Sequence, residues 1–417
     1  MFKIKKNDIY VLIISAISYA ISSFIIDANI SKEVMFDMFN PNADSYSYLQ
    51  VGEWVLGGDR DENIAYRPFL FPFITASLYS IGGVYLFWAY QLCAYVLGNF
   101  FLYKSIEIIA KNRIIAWVGS FFYLINFSLI GLSYHALCEV SVIFGLSIIL
   151  YLATLRYEGR LTAELFWSWL LFSMGLLVLV KPVFLPPFYF CSFLVIILVL
   201  LKRIEIKGIL KWPIAIVFIL LISQLMIMKT IYNEATISKI SDKTYRNYLL
   251  SQVIMVKENV TRDQAIEISN RMNKVEIYNF SIHNYTVLGS EFLGNLKRNI
   301  QADSFIVDYN NTSKNAIPGL IMKWYNLISL YVYIYVIFIG CIYFLFQRRF
   351  QFAENDVILV FFWGLSIYYV FVTGISYDQR DRLVIGALPL MIFLFITFSN
   401  FLFNYYKNVY IIPRERK

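Results

Sequence analysis

Apolar segments of about 20 residues, the length that crosses the hydrocarbon of a bilayer, recur along this chain from residue 9 almost to its C-terminus. Ten candidate spans can be read at 9–26, 84–103, 114–131, 137–155, 165–180, 183–201, 212–228, 321–346, 357–375 and 383–403. No soluble domain of ordinary size fits between them. Hydrophobic residues make up 59% of the chain and charged residues 15%, with a mean hydropathy of +0.61, so water is not its main solvent. The expected fold is an all-α polytopic membrane protein of about ten transmembrane helices, with external juxtamembrane helices and a small, mostly helical external loop region.

The first apolar segment follows Lys3, Lys5 and Lys6 like a signal sequence but lacks a small-residue cleavage site, so it reads as a retained first helix. The segment 68–81 is short and carries Pro68 and Pro72, which suits a juxtamembrane or re-entrant helix. Cys93, Cys138, Cys191 and Cys341 lie in or beside apolar segments without CxxC spacing, as packing residues do.

The formal charge of +8 does not imply nucleic acid once the basic residues are placed. With a cytoplasmic N-terminus, the clusters around Lys104, Arg156, Lys207, Arg348 and Arg414 all fall inside, as the positive-inside rule requires. Both termini are then cytoplasmic. Segments 27–67 and 229–323 lie outside, with short turns at 132–136, 181–182 and 377–381. The chain divides into a transmembrane module at 1–230 with its external first loop at 27–67, an external region at 231–320, and C-terminal helices with a basic tail at 321–417. Within the external region, Thr261-Arg262-Asp263-Gln264 has capping-box spacing and opens an amphipathic stretch.

Polar chemistry gathers on this external face. Asp44 suits a helix N-terminus, where free backbone N–H groups favour a carboxylate, and equally a general base at the membrane surface. Arg67 is either an interfacial snorkelling residue or a bidentate phosphate clamp. Lys181 interrupts an apolar run, where a charge is costly unless paired or wetted, so it either marks a helix end or meets a lipid phosphate. His135 and Glu139, four apart, would share a helix face as a hydrogen-bonded pair or a substrate contact. Arg380 and Arg382 either anchor helix ends or close over a phosphate. Asp59-Arg60-Asp61-Glu62 reads as a solvated turn. With His135 and His283 the only histidines and no HExxH spacing, zinc is rejected.

Asp44 followed by Tyr46-Ser47-Tyr48-Leu49, then a glycine-ended helix and Tyr66-Arg67-Pro68, resembles the GT-C glycosyltransferases, in particular their protein-mannosyltransferase and aminoarabinose-transferase branch. Leu137-Cys138-Glu139, Lys181-Pro182 and Arg380-Asp381-Arg382 agree with it. The resemblance is strongest over the first seven spans and loosest in the large loop. It implies a GT-C-like bundle in a bacterial or archaeal plasma membrane that takes a sugar from a polyprenyl-phosphate donor to a glycan, lipid or protein acceptor. Asp44 would be the catalytic base, and Tyr46, Tyr66, Arg67, His135, Glu139, Lys181, Arg380 and Arg382 would bind substrate. Ser45 stands where that branch commonly has Glu; no cofactor is required, and a divalent metal stays open. Rival readings are a polysaccharide polymerase or ligase using lipid-pyrophosphate oligosaccharides, and a lipid-oligosaccharide flippase. A flippase should place polar residues near the midplane and often shows repeated halves, whereas the ionisable residues here sit mainly at span ends.

Overall fold

The computed structural model describes residues 6–25, 44–205, 208, 211–301, 316–346, 354–377 and 381–406. The described residues contain helices and no strand. Among the described residues, nine helices are long and apolar enough to cross a membrane, and the chain is a multi-pass membrane protein of the all-α class.

The first helix, α1 (Lys6–Ile25), is built for lipid rather than water. Ile9, Ile13, Ile17 and Ile21 are exposed at four-residue spacing, while Val11, Ser15, Tyr19 and Ser22 turn inward. Small and hydroxyl-bearing residues allow close approach and hydrogen-bond across helices, whereas lipid-facing positions need only be apolar. Asn99 accordingly donates to Ser15 Oγ and Ser120 Oγ, both at 2.8 Å.

After α2 (Asp44–Val55) comes the long α3 (Leu70–Ala110), the helix against which much of the bundle packs. Gly82 and Gly83 leave helical geometry within it, Gly83 at φ 62°, a left-handed conformation that costs glycine little. This kink divides the short stretch 70–81, about 18 Å at 1.5 Å per residue, from the part that crosses. The kink gives physical form to the reading of 68–81 as separate from the span that follows.

The span expected at 114–131 is interrupted. It consists of α4 (Arg113–Leu124) and α5 (Phe127–Leu132), each too short to cross alone. The buried Asn126 caps α5 by accepting from Leu129 N–H, and this polar cap breaks an otherwise continuous apolar run. The two pieces still traverse the bundle antiparallel to α3: Gly119 lies against Ile106, Tyr123 bonds to the Tyr95 carbonyl, and the His135 carbonyl meets Gln91.

Next come α6 (Glu139–Tyr157) and α7 (Ala163–Val180). Pro182 disfavours helical backbone at the residue before it, and Lys181 is extended at φ −145°, ψ 110°. The chain turns there into α8 (Leu185–Leu200) and then α9 (Lys211–Tyr232). The region between α9 and the last three spans is helical: α10 (Ser251–Glu258), α11 (Arg262–Arg271), α12 (Lys274–His283) and α13 (Tyr285–Gln301). Thr261 and Gln264 form the expected capping box on α11. Leu250, Ile254 and Ala265 make a small core separate from that of the bundle. The last helices are α14 (Ala316–Phe346), α15 (Glu354–Val372) and α16 (Leu388–Tyr406).

Candidate functional site

Asp44, Ser47 and Tyr48 occupy positions i, i+3 and i+4 of α2 and share one face. Arg67 reaches that face from the following loop. Its Nε donates to Ser47 Oγ at 3.0 Å, one terminal nitrogen to the Tyr48 hydroxyl at 3.3 Å, and the other to Asp44 Oδ1 at 3.0 Å. The guanidinium also lies 4.5 Å from the centre of the Tyr48 ring, a cation–π geometry.

From the far end of the sequence, Arg382 donates to Asp44 Oδ2 at 3.0 Å and to Glu139 Oε1 at 3.2 Å. Lys181, delivered by the proline-terminated end of α7, reaches the same Glu139 oxygen at 3.4 Å and the Tyr369 hydroxyl at 3.2 Å. The result is a chain of alternating charge, Arg67–Asp44–Arg382–Glu139–Lys181. Glu139 is its buried pivot, with a side chain 2% exposed, and Asp44 its most accessible member, at 47%. Oε2 of Glu139 is buried without a hydrogen-bond partner among the described residues.

Burial works against ionisation of Asp44, but Arg382 and Arg67 outweigh it and hold the carboxyl below its ordinary value. Burial likewise opposes the Lys181 charge, and the Tyr369 oxygen and Glu139 reverse this, holding the ammonium above its ordinary value.

These residues line a cavity of about 680 Å³ at the end of the bundle. Part of its lining is apolar, with Val180, Val183 and Leu185; another part comes from the segment after α9, with Ile237, Ser238 and Lys243. Lys243 lies 3.9 Å from the centre of the Tyr66 ring. The charged lining is therefore four cations, Arg67, Lys181, Lys243 and Arg382, against two carboxylates, Asp44 and Glu139. Such a surface favours an anion, and its guanidiniums suit an oxyanion.

Of the residues singled out from sequence, Asp44, Tyr66, Arg67, Glu139, Lys181 and Arg382 line this cavity together. Tyr46 is not among its lining residues; two positions from Asp44 on a helix, it turns away and packs on the core. His135 is not among them either, and it shares no helix with Glu139, because α5 ends at Leu132 and α6 begins at Glu139. Arg380 lies outside the described residues. Asp61 caps a short turn by accepting from Asn63 N–H, in keeping with the solvated-turn reading. Tyr48, Lys243 and Tyr369 were missed; the helical period from Asp44 pointed to Tyr48, whereas the other two meet the site only through the fold.

The described residues hold no group of three or more His, Cys, Asp or Glu side chains arranged to bind a metal. No protein-family model, curated protein or solved structure matches the chain.

Proposed function

We propose that this chain is a GT-C-like membrane glycosyltransferase that moves a sugar from a polyprenyl-phosphate carrier to an acceptor on the external face. The observation carrying this reading is the cation-rich cavity at the boundary between apolar spans and a folded polar region. A lipid-linked sugar phosphate needs that combination: an apolar wall for the prenyl chain, cations for the phosphate, and a carboxylate near the reacting sugar.

The acceptor hydroxyl attacks the anomeric carbon as the carbon–oxygen bond to the phosphate breaks, inverting the configuration and releasing polyprenyl phosphate. The phosphate passes from a singly charged diester to a monoester of about −1.5 to −2, so excess cationic charge stabilises the products and the transition state leading to them. Arg67, Lys181 and Arg382 take that charge. Asp44 accepts the acceptor's proton. Paired with two arginines it is a weak base; a bound phosphate competes for both guanidiniums and so restores its basicity.

The test is transfer of labelled sugar from polyprenyl phosphate by purified protein in lipid. A positioned base contributes about 10²- to 10⁴-fold, so Asp44→Asn should lose most turnover while thermal unfolding reports an intact fold. Near-normal turnover by this variant would remove Asp44 from the chemistry.

A further inference from the structure

A second cavity, of about 230 Å³, adjoins the first: Asn247 and Tyr248 line both. They sit on a π-helical turn, Tyr245–Leu250, a geometry frequent at functional sites. The remaining wall includes Gln252, Arg262, Arg298 and Tyr377. Arg298 and Arg262 lie 4.8 and 5.5 Å from the centre of the Tyr377 ring, and Arg262 lies 5.9 Å from that of Tyr248. A guanidinium stacked on a ring keeps its N–H edge for polar partners: Arg298 gives Nε to the Gly294 carbonyl at 3.3 Å and one terminal nitrogen to Asn295 Oδ1 at 3.0 Å, which leaves its other terminal nitrogen and the edge of Arg262 for an oxyanion.

Local structure does not account for Arg262. It opens α11, where the helix dipole disfavours a cation, and among the described residues no carboxylate pairs with it. Arg298 meets Glu291 only at 3.8 Å, the one acid on this wall. The amides of Asn247 and Gln252 and the phenol of Tyr248 suit hydroxyl groups. The volume is below that of a drug-sized site, which fits a single ring.

We infer that this second cavity binds an anionic sugar unit, carboxylate- or phosphate-bearing, with Arg262 and Arg298 on the oxyanion. On the glycosyltransferase reading, to which this adds, the unit belongs to the acceptor: a glycan occupying both cavities places an acidic residue here and its growing end beside Asp44.

The experiment measures binding of cellobiouronic acid, glucose 6-phosphate and cellobiose to the full-length protein in lipid nanodiscs. The two acids separate the carboxylate from the phosphate source of the charge, and cellobiose is the neutral control. Since a hydrogen bond to a charged group is worth a tenfold change or more, at least one acid should bind about tenfold tighter than cellobiose. Arg262→Gln should abolish the preference; the Arg262 side chain makes ring contacts but no hydrogen bond or ion pair among the described residues, so thermal unfolding should report a retained fold. Arg271→Gln, on the exposed end of α11 beside Glu267, should leave the preference unchanged. Equal binding of all three sugars, binding of none, or a preference that survives Arg262→Gln would overturn the inference. No donor or turnover enters this readout, so its failure is distinguishable from failure of the transferase reading.

Discussion

Asp44 is held between two guanidiniums, and the same contacts that fix its position lower its pKa beneath the ordinary value of 3.8. A carboxylate with a depressed folded-state pKa stabilises the fold above its unfolded value, and that contribution is lost as pH falls through the folded pKa. Thermal unfolding followed from about pH 6 downward should therefore show wild type losing more stability below about pH 4 than Asp44→Asn, which has no such proton to take up. Parallel curves for the two proteins would mean that the arginines do not hold Asp44 as described. Several residues of this network were legible in sequence: an acid at the start of a helix, an arginine before proline, and a lysine that interrupts an apolar run. Their mutual pairing was not legible, since Arg382 meets Asp44 across 338 positions and only the fold sets that contact. Tyr46 was singled out by a motif, and helical geometry turns it from the face that Asp44 and Tyr48 share.

At the scale of elements, α13 is fastened to the bundle by its side chains. Asn299 on α13 is fully buried and donates to the carbonyls of Thr373 at 2.9 Å and Ser376 at 2.7 Å. Asn295, one turn earlier, donates to Gly374 at 3.3 Å. These bonds satisfy carbonyls freed where α15 ends and set the turn leading towards Arg382. Leaving a buried acceptor unpaired costs about 1–3 kcal/mol, so Asn299→Ala should destabilise the protein by about that amount. Hydrogen exchange should then quicken in 373–377 and along α13 before it changes in α3. Uniform protection across these segments would contradict the fastening role. Hydropathy found the long spans because lipid demands little else of them. It overran Asn126, a single polar cap whose effect on helix continuity is invisible to a window average, and the break between α4 and α5 follows from that one residue.

Across the whole molecule, the two ends of the bundle differ in chemistry. One carries the cavity; the other carries a buried ionic cluster in which Lys104 meets Asp8 at 3.0 Å and Glu107 at 2.6 Å. The positive-inside reading makes the second end cytoplasmic. In a cysteine-free background, an impermeant thiol reagent applied to intact cells should label Tyr285→Cys and spare Arg160→Cys, the two positions being exposed at opposite ends. The opposite pattern would invert the protein and place the cavity in the cytoplasm. The proposed recognition of a prenyl-lipid phosphate by the cationic cavity is measured by comparing undecaprenyl phosphate with undecaprenol binding to the purified protein in nanodiscs. Charge-assisted bonds to the phosphate should give the phosphorylated lipid an advantage of about tenfold or more, reduced in Lys181→Met and Arg67→Gln. Equal affinity for the two lipids, or an advantage that neither substitution lowers, would contradict the account.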